Sequence, residues 1–144
     1  MVKNVTFKIL DHVDDMIDAY PLVNQMYKEM DLSSYQSHVA EMIAINNFKM
    51  LAAFDGGKMV GVCGYWVFLM LYCERYIQVS NFVVDEKYRN QGIGKAIFDQ
   101  IEEIGRDLGC KKFVLDSYTE NKKSHSLYYR EGFHIRGFHF MKNL

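Results

Sequence analysis

Apolar residues recur along the chain with two different periods, and each change of period marks a new element. Residues 5–10 alternate and read as a first strand. Val13, Ile17, Tyr20 and Val23 then fall at helical spacing, with Asp11 in the place of an N-cap. Pro21 lies inside that stripe, where it either kinks the helix or opens a new one as a first-turn residue. A further helix is expected behind a Ser33 or Ser34 cap, with Tyr35, Val39, Met42 and Ile43 on one face. Residues 48–54 and 59–68 read as strands around an Asp55-Gly56-Gly57-Lys58 hairpin turn. After a turn near Cys73 and Glu74, residues 76–84 form another strand, rich in β-branched and aromatic side chains. Ile93, Ile97, Ile101, Ile104 and Leu108 set the buried face of a long helix over 91–108, stopped by Gly109. Residues 112–118 form a strand, 124–130 a short helix ended by Gly132, and 132–144 a final strand pair.

The order is strand, two helices, three strands, helix, strand, helix, two strands. It predicts an α/β (α+β) fold with one mixed, mostly antiparallel sheet of about seven strands and about four helices. The 144 residues contain no repeat and no Pro/Gly/Ser linker, so residues 1–144 are expected to form one domain. Apolar residues make up 49% and the formal net charge is -1, which describes a folded chain and argues against a general nucleic-acid binder. The apolar run 59–73 is too short and too strand-like to span a membrane. The N-terminus has no apolar h-region, and Cys63, Cys73 and Cys110 show neither metal nor redox spacing. A cytoplasmic protein with reduced thiols is expected. His12, His38, His134 and His139 lack ligand spacing, so no metal is expected.

The segment with most chemistry runs from Asn81 to Ala96, an apolar strand entering a glycine-containing loop and then an amphipathic helix. Gly92 and Gly94 allow backbone to approach a ligand, and the amides of residues 90–95 sit at a helix N-terminus. Arg89 and Lys95 add positive charge, and together these features point to a pyrophosphate site. A P-loop would need Gly in place of Arg89 and Ser or Thr in place of Ala96. A dinucleotide fingerprint would need Gly in place of Ile97. The remaining pattern, Arg-x-x-Gly-x-Gly after an apolar strand, resembles the coenzyme A loop of the GCN5-related N-acetyltransferase (GNAT) superfamily. Asn121-Lys-Lys-Ser-His-Ser-Leu-Tyr128-Tyr-Arg-Glu-Gly-Phe133 resembles the C-terminal motif of the same superfamily, and the two occur in the expected order.

The resemblance implies a GNAT fold and transfer of an acetyl group from acetyl-CoA to a primary amine of a small molecule or peptide. By position, backbone at Phe82, Val83 and Val84 would pair with the pantetheine arm, the N–H near Phe82 serving as oxyanion donor. Arg89, Asn90, Gln91, Gly92, Ile93, Gly94 and Lys95 would hold the pyrophosphate, and Asn121 would contact the cofactor. Tyr128 would sit near the sulfur and protonate the departing thiolate. Many relatives place a glutamate on the central strand as base, whereas the matching positions here are Ser80 and Asn81. Glu74, Asp116 and Glu120 are the open candidates, with Asp116 chosen as the catalytic one because it falls near the point where the resemblance implies that the strand ending at Val84 splays from its neighbour. His125, in a Ser-His-x-Leu-Tyr run similar to aminoalkylphosphonate and some aminoglycoside N-acetyltransferases, is a base, a cofactor contact or a packing residue. An acidic first third (Asp11, Asp14, Asp15, Asp18, Glu29, Asp31, Glu41) would favour a cationic acceptor. A homodimer is expected by analogy. A non-catalytic acyl-CoA sensor and a protein acetyltransferase are the alternative functions.

Overall fold

Glycine contacts set the spacing of the layers in the computed structural model, which describes residues 4–144. A Cβ on Gly64 would lie 2.4 Å from the Phe48 ring, and one on Gly61 would lie 2.8 Å from Ile97 Cδ1. No other residue type allows the Phe48 ring and the Ile97 side chain so near the strand. The chain forms two compact units, Met1–Val114 and Leu115–Leu144.

The first unit carries β1 (Val5–Leu10), α1 (Val13–Ile17), α2 (Tyr20–Met26), α3 (Leu32–Asn46), β2 (Lys49–Asp55), β3 (Lys58–Met70) and β4 (Glu74–Val84). A single 3-10 turn (Glu86–Tyr88), α4 (Ile93–Asp107) and β5 (Lys112–Leu115) follow. The sheet order is β1-β2-β3-β4-β5. The first four strands are antiparallel neighbours. Strand β5 is reached from β4 through the crossover helix α4, and the sheet is mixed. One core joins Met16, Leu22, Tyr35 and Val39 of the first three helices to Phe48, Met50 and Val62. Helix α4 buries Ile93, Ile97, Phe98 and Ile101. Gly105 brings it close to Ile77 of β4. Its end is a Schellman closure, with Cys110 N–H donating to Gly105 O (2.8 Å) and Gly109 N–H to Arg106 O (3.0 Å).

Several expectations are corrected here. Three helices, not two, precede β2, because Pro21 opens α2 in its first turn. The N-cap of α1 is His12 rather than Asp11, and its side chain makes no cap bond. Helix α3 is capped by Asp31, not by Ser33 or Ser34. The carboxylate accepts from Ser34 N–H at 2.7 Å, and this bond lowers its pKa. Strand β5 ends at Leu115, so Asp116 lies just beyond it. Among the described residues the sheet has five strands instead of about seven, and the α-helices number five instead of about four. Residues 133–144 alternate like strands but carry no regular structure. A period-2 pattern specifies a strand only where a partner takes its backbone groups, and Ile135, Phe138 and Phe140 remain largely exposed. The second unit holds α5 (Lys122–Arg130).

Replacing Gly64 by Ala forces a Cβ into the Phe48 ring and is expected to cost about 1–3 kcal/mol in a urea unfolding titration. Burial pushes the Tyr65 hydroxyl up to about 12, helped by the Asp11 carboxylate, and raises that of Tyr35, which donates to Met16 O (2.5 Å). Both phenols stay protonated in the fold while the unfolded chain ionises near pH 10. Their contribution is therefore complete below about pH 10 and is lost as pH rises toward 12. Unfolding free energies measured across that window should fall, and less steeply in Tyr35→Phe.

Candidate active site

The register of β3 and β4 contains an irregularity that the sequence pattern did not announce. Gly64 pairs with Ser80 and Val62 with Val83, so Asn81 and Phe82 together face the single residue Cys63. This is a β-bulge, and Asn81 takes the left-handed conformation at φ 56 that it needs. Asn is among the few residues that adopt this region at low cost. A bulge bends its strand and takes backbone groups out of the ladder. Beyond it Val83 enters the core, while the Phe82 ring packs on Phe98 at 4.7 Å, and Phe98 on Phe113 at 5.4 Å. Val84 regains pairing with Gly61.

The chain then turns toward α4 through a braced segment. Asp85 caps the 3-10 turn by accepting from Lys87 N–H (3.0 Å) and meets Lys58 Nζ at 3.7 Å. Lys58 also sits 4.9 Å from the centre of the Tyr88 ring. Gln25 of α2 accepts from Glu86 N–H (3.4 Å), and Gln91 Nε2 donates to Lys87 O (3.3 Å). Asn90 and Gly92 both take positive φ, 60 and 83. Gly92 is the N-cap of α4, and no atom lies within 4 Å of the position its Cβ would occupy. The first-turn amides of Ile93 and Gly94 precede the first intrahelical bond, which Ala96 N–H makes to Gly92 O (3.0 Å). No carboxylate occurs between Glu86 and Asp99. This open, carboxylate-free helix start with Arg89 beside it fits a pyrophosphate. Lys95 departs from expectation in part, because its Nζ is held by Asp99 at 2.9 Å.

A cleft of about 460 Å³ opens in the same unit between α1, α2 and the β2–β3 turn. Its lining includes Asp15, Asp18, Gln25, Lys58 and Asp85. Three residues of the expected acidic rim are engaged, Asp11 beside His12 Nε2 (3.6 Å), Asp15 with Lys8 (3.8 Å) and Asp31 in its cap. Glu74 stands at the tip of the β3–β4 hairpin, seven residues before Asn81 and so roughly 23 Å away along the strand.

In the second unit, Asn121 is the N-cap of α5, but its side chain makes no cap bond. His125 Nε2 lies 2.9 Å from Tyr118 O and 3.1 Å from Ser117 Oγ. A carbonyl only accepts, so Nε2 carries the proton and the ring ties the helix to the segment after β5. Asp116 is exposed and lies 3.6 Å from His139 Nδ1, while Glu120 is exposed and accepts from Thr119 Oγ1 (3.2 Å). Tyr128 is half-buried, and Tyr129 is 57% exposed. Glycine-phenylalanine closes α5 as a second Schellman motif. Phe133 N–H donates to Tyr128 O (3.0 Å) and Gly132 N–H to Tyr129 O (3.1 Å). The Tyr128 and Phe133 rings meet edge to face at 6.2 Å.

Sequence reasoning missed the bulge at Asn81 and the Gln25 brace. A lone Asn just before the apolar run Phe82-Val83-Val84 was the one available signal for the first. Among the described residues no group of three or more His, Cys, Asp or Glu is arranged to hold a metal. No helix among them is long and apolar enough to cross a membrane.

The profile of the Acetyltransferase (GNAT) family matches residues 16–133, and the chain belongs to that family. It is 36% identical over 74 residues to the thialysine N-epsilon-acetyltransferase of Sus scrofa, a stretch that is 51% of this chain and 44% of that protein. The match thus spans less than half of that relative's length. The ribosomal-protein-alanine N-acetyltransferase of Brucella melitensis biovar Abortus 2308 superposes with a TM-score of 0.83 at 20% identity, covering 98% of this chain and 99% of that one. An aminoglycoside N-acetyltransferase in complex with CoA gives 0.79 at 15% identity, covering 100% and 99%. These two share the fold.

Replacing Gly92 by Val should cost only about 1–2 kcal/mol of stability, because the space is open and only the positive φ is strained. Calorimetric titration should nonetheless show acetyl-CoA binding weakened at least about tenfold.

Proposed function

We propose that this chain is an N-acetyltransferase that moves an acetyl group from acetyl-CoA to a primary amine of a small molecule or peptide. The observation that carries the reading is the pairing of the Asn81 bulge on β4 with the open, carboxylate-free start of α4 in one unit. Family membership supports it, since acetyl-CoA is the family's cosubstrate. Bound acetyl-CoA supplies an activated acyl carbon as a thioester.

In this reading the amides of residues 90–95, with Arg89, bind the pyrophosphate. Backbone groups from Phe82 to Val84 pair with the pantetheine arm, and the bulge turns an N–H near Phe82 toward the thioester oxygen. Asn121 adds a cofactor contact. Tyr128 holds a phenolic proton for the leaving sulfur, and its ring orientation is fixed by Phe133. A neutral amine then attacks directly, with no covalent enzyme intermediate. Asp116 is assigned to receive the ammonium proton, with Glu120 as the alternative. Glu74 is set aside by its place at the hairpin tip. His125, committed to the Tyr118 carbonyl, is a positioning residue.

The acceptor is read as a cationic small amine, supported by Asp18 in the cleft lining, since Asp15 pairs with Lys8 and Asp85 with Lys58 and one acidic charge is left in excess. Thialysine and aminoglycosides are the amines named for similar proteins. The 144 residues are read as one catalytic domain acting in the cytoplasm, where the cosubstrate is available. A second reading, an acyl-CoA sensor without turnover, is favoured by one observation: Ser80 and Asn81 leave the bulge without a carboxylate.

Titration with acetyl-CoA followed by thiol-release assays over polyamines, aminoglycosides, aminophosphonates, amino acids and peptides tests both readings. Turnover with one amine class supports the enzyme, and binding with no turnover across the panel supports the sensor. Tyr128→Phe is expected to lower kcat about 10²–10⁴-fold with acetyl-CoA affinity kept. Unchanged kcat would remove the general-acid role.

A further inference from the structure

Leu115–Leu144 is one compact unit, and within it the end of the chain returns to Asp116. His139 Nδ1 lies 3.6 Å from Asp116 Oδ2. The two residues are 23 positions apart, so the fold of the unit makes this contact and not a local turn. The unit holds three histidines. His125 has its Nε2 committed to Tyr118 O and Ser117 Oγ, and His134 meets no carboxylate among the described residues. His139 alone faces an acid. Its Nε2 makes no hydrogen bond among the described residues, and 58% of the side chain is exposed. The place of the acid follows from strand register. Lys111 N–H donates to Arg75 O (2.6 Å) where β5 joins β4. In a parallel pair an N–H reaches the residue before its neighbour, so Lys111 is in step with Tyr76 and Leu115, the last residue of β5, with Ser80. The next residues of the two segments are Asp116 and Asn81, the bulge residue.

We propose that the base of the acyl transfer is an Asp116–His139 pair, in which His139 Nε2 takes the ammonium proton and Asp116 holds the ring. This rests on the N-acetyltransferase reading and deepens the role given there to Asp116. Carboxylates as a class are far weaker bases than imidazoles, and a general base works best when its pKa is near the working pH. A carboxylate only accepts, so its field keeps the ring proton on the near nitrogen, Nδ1, and leaves Nε2 with a lone pair. An N–H bond of the acceptor ammonium breaks, its proton moves to Nε2, and Asp116 stabilises the imidazolium. The freed lone pair of the amine forms the C–N bond as the C–S bond of the thioester breaks. Sulfur leaves with the Tyr128 proton, the new amide nitrogen gives its second proton to the tyrosinate, and His139 returns its proton to solvent.

Two measurements on the full chain test this, one of them without any acceptor. NMR of the imidazole nitrogens in the neutral ring should show His139 protonated on Nδ1, against the usual preference of a free imidazole side chain for Nε2. Asp116→Ala should return it to the Nε2–H form. Kinetics use acetyl-CoA with whichever amine of the thiol-release panel turns over fastest. His139→Ala is expected to lower kcat about 10²-fold or more with acetyl-CoA affinity kept. The side chain is largely exposed, so the fold is kept. Added imidazole should restore part of the loss, and substituted imidazoles should do so in order of their basicity, which a purely structural role would not produce. An Nε2–H ring in the unaltered chain, an unchanged kcat in His139→Ala, or a loss that no imidazole restores would each overturn the proposal. Turnover indifferent to His139 removes only this base, whereas a chain that turns over no amine removes the enzyme reading and the base with it.

Discussion

Helix α4 approaches the sheet at two points where a glycine takes the place of a side chain, Gly61 under Ile97 and Gly105 over Ile77. Everything proposed for the cofactor loop depends on that closeness. The helix axis is held by its buried isoleucines, so its N-terminus and the glycine cap there cannot drift from the end of β4. A larger residue at either glycine would lift the helix and carry the loop with it. The anion site is thus positioned by packing some way from any charge.

The bulge on β4 is the complementary constraint. Regular antiparallel pairing would consume the backbone groups of Asn81 and Phe82. By setting two residues against Cys63, the strand keeps pairing on both sides of the bulge and loses it only there. The row Phe82, Phe98 and Phe113 ties the strand, the helix and β5 together just past this point. Local irregularity is carried by rigid surroundings, which is where irregularity is tolerated.

How much of this the sequence discloses varies with the range of the interaction. Helix α4 was readable from five apolar residues at helical spacing, and the β2–β3 turn from Asp-Gly-Gly, because both are local patterns. The cap of α3 was misread by two or three residues, since Asp31, Ser33 and Ser34 all suit the position and geometry alone decides. The closing strands failed for a different reason: alternation at 133–144 says what the segment can do, while pairing depends on a partner. The anion loop was legible as Gly92 and Gly94 with Arg89. The bulge was not, since it exists only as an offset between two strands. Asp85, whose carboxylate braces the turn before the loop, went unnoticed because a single acid after a strand has no distinctive spacing.

The Schellman closure of α5 ties Tyr128 to Phe133 across only five residues. Such a contact has minimal sequence separation, so it forms on the timescale of the helix itself rather than of the sheet. The tyrosine ring is therefore oriented by a module with very low contact order. Substitutions that slow or weaken assembly of the strands would spare that orientation. Conversely, changing Phe133 would loosen the ring while leaving the rest of folding at its normal speed, which separates the history of this side chain from that of the sheet.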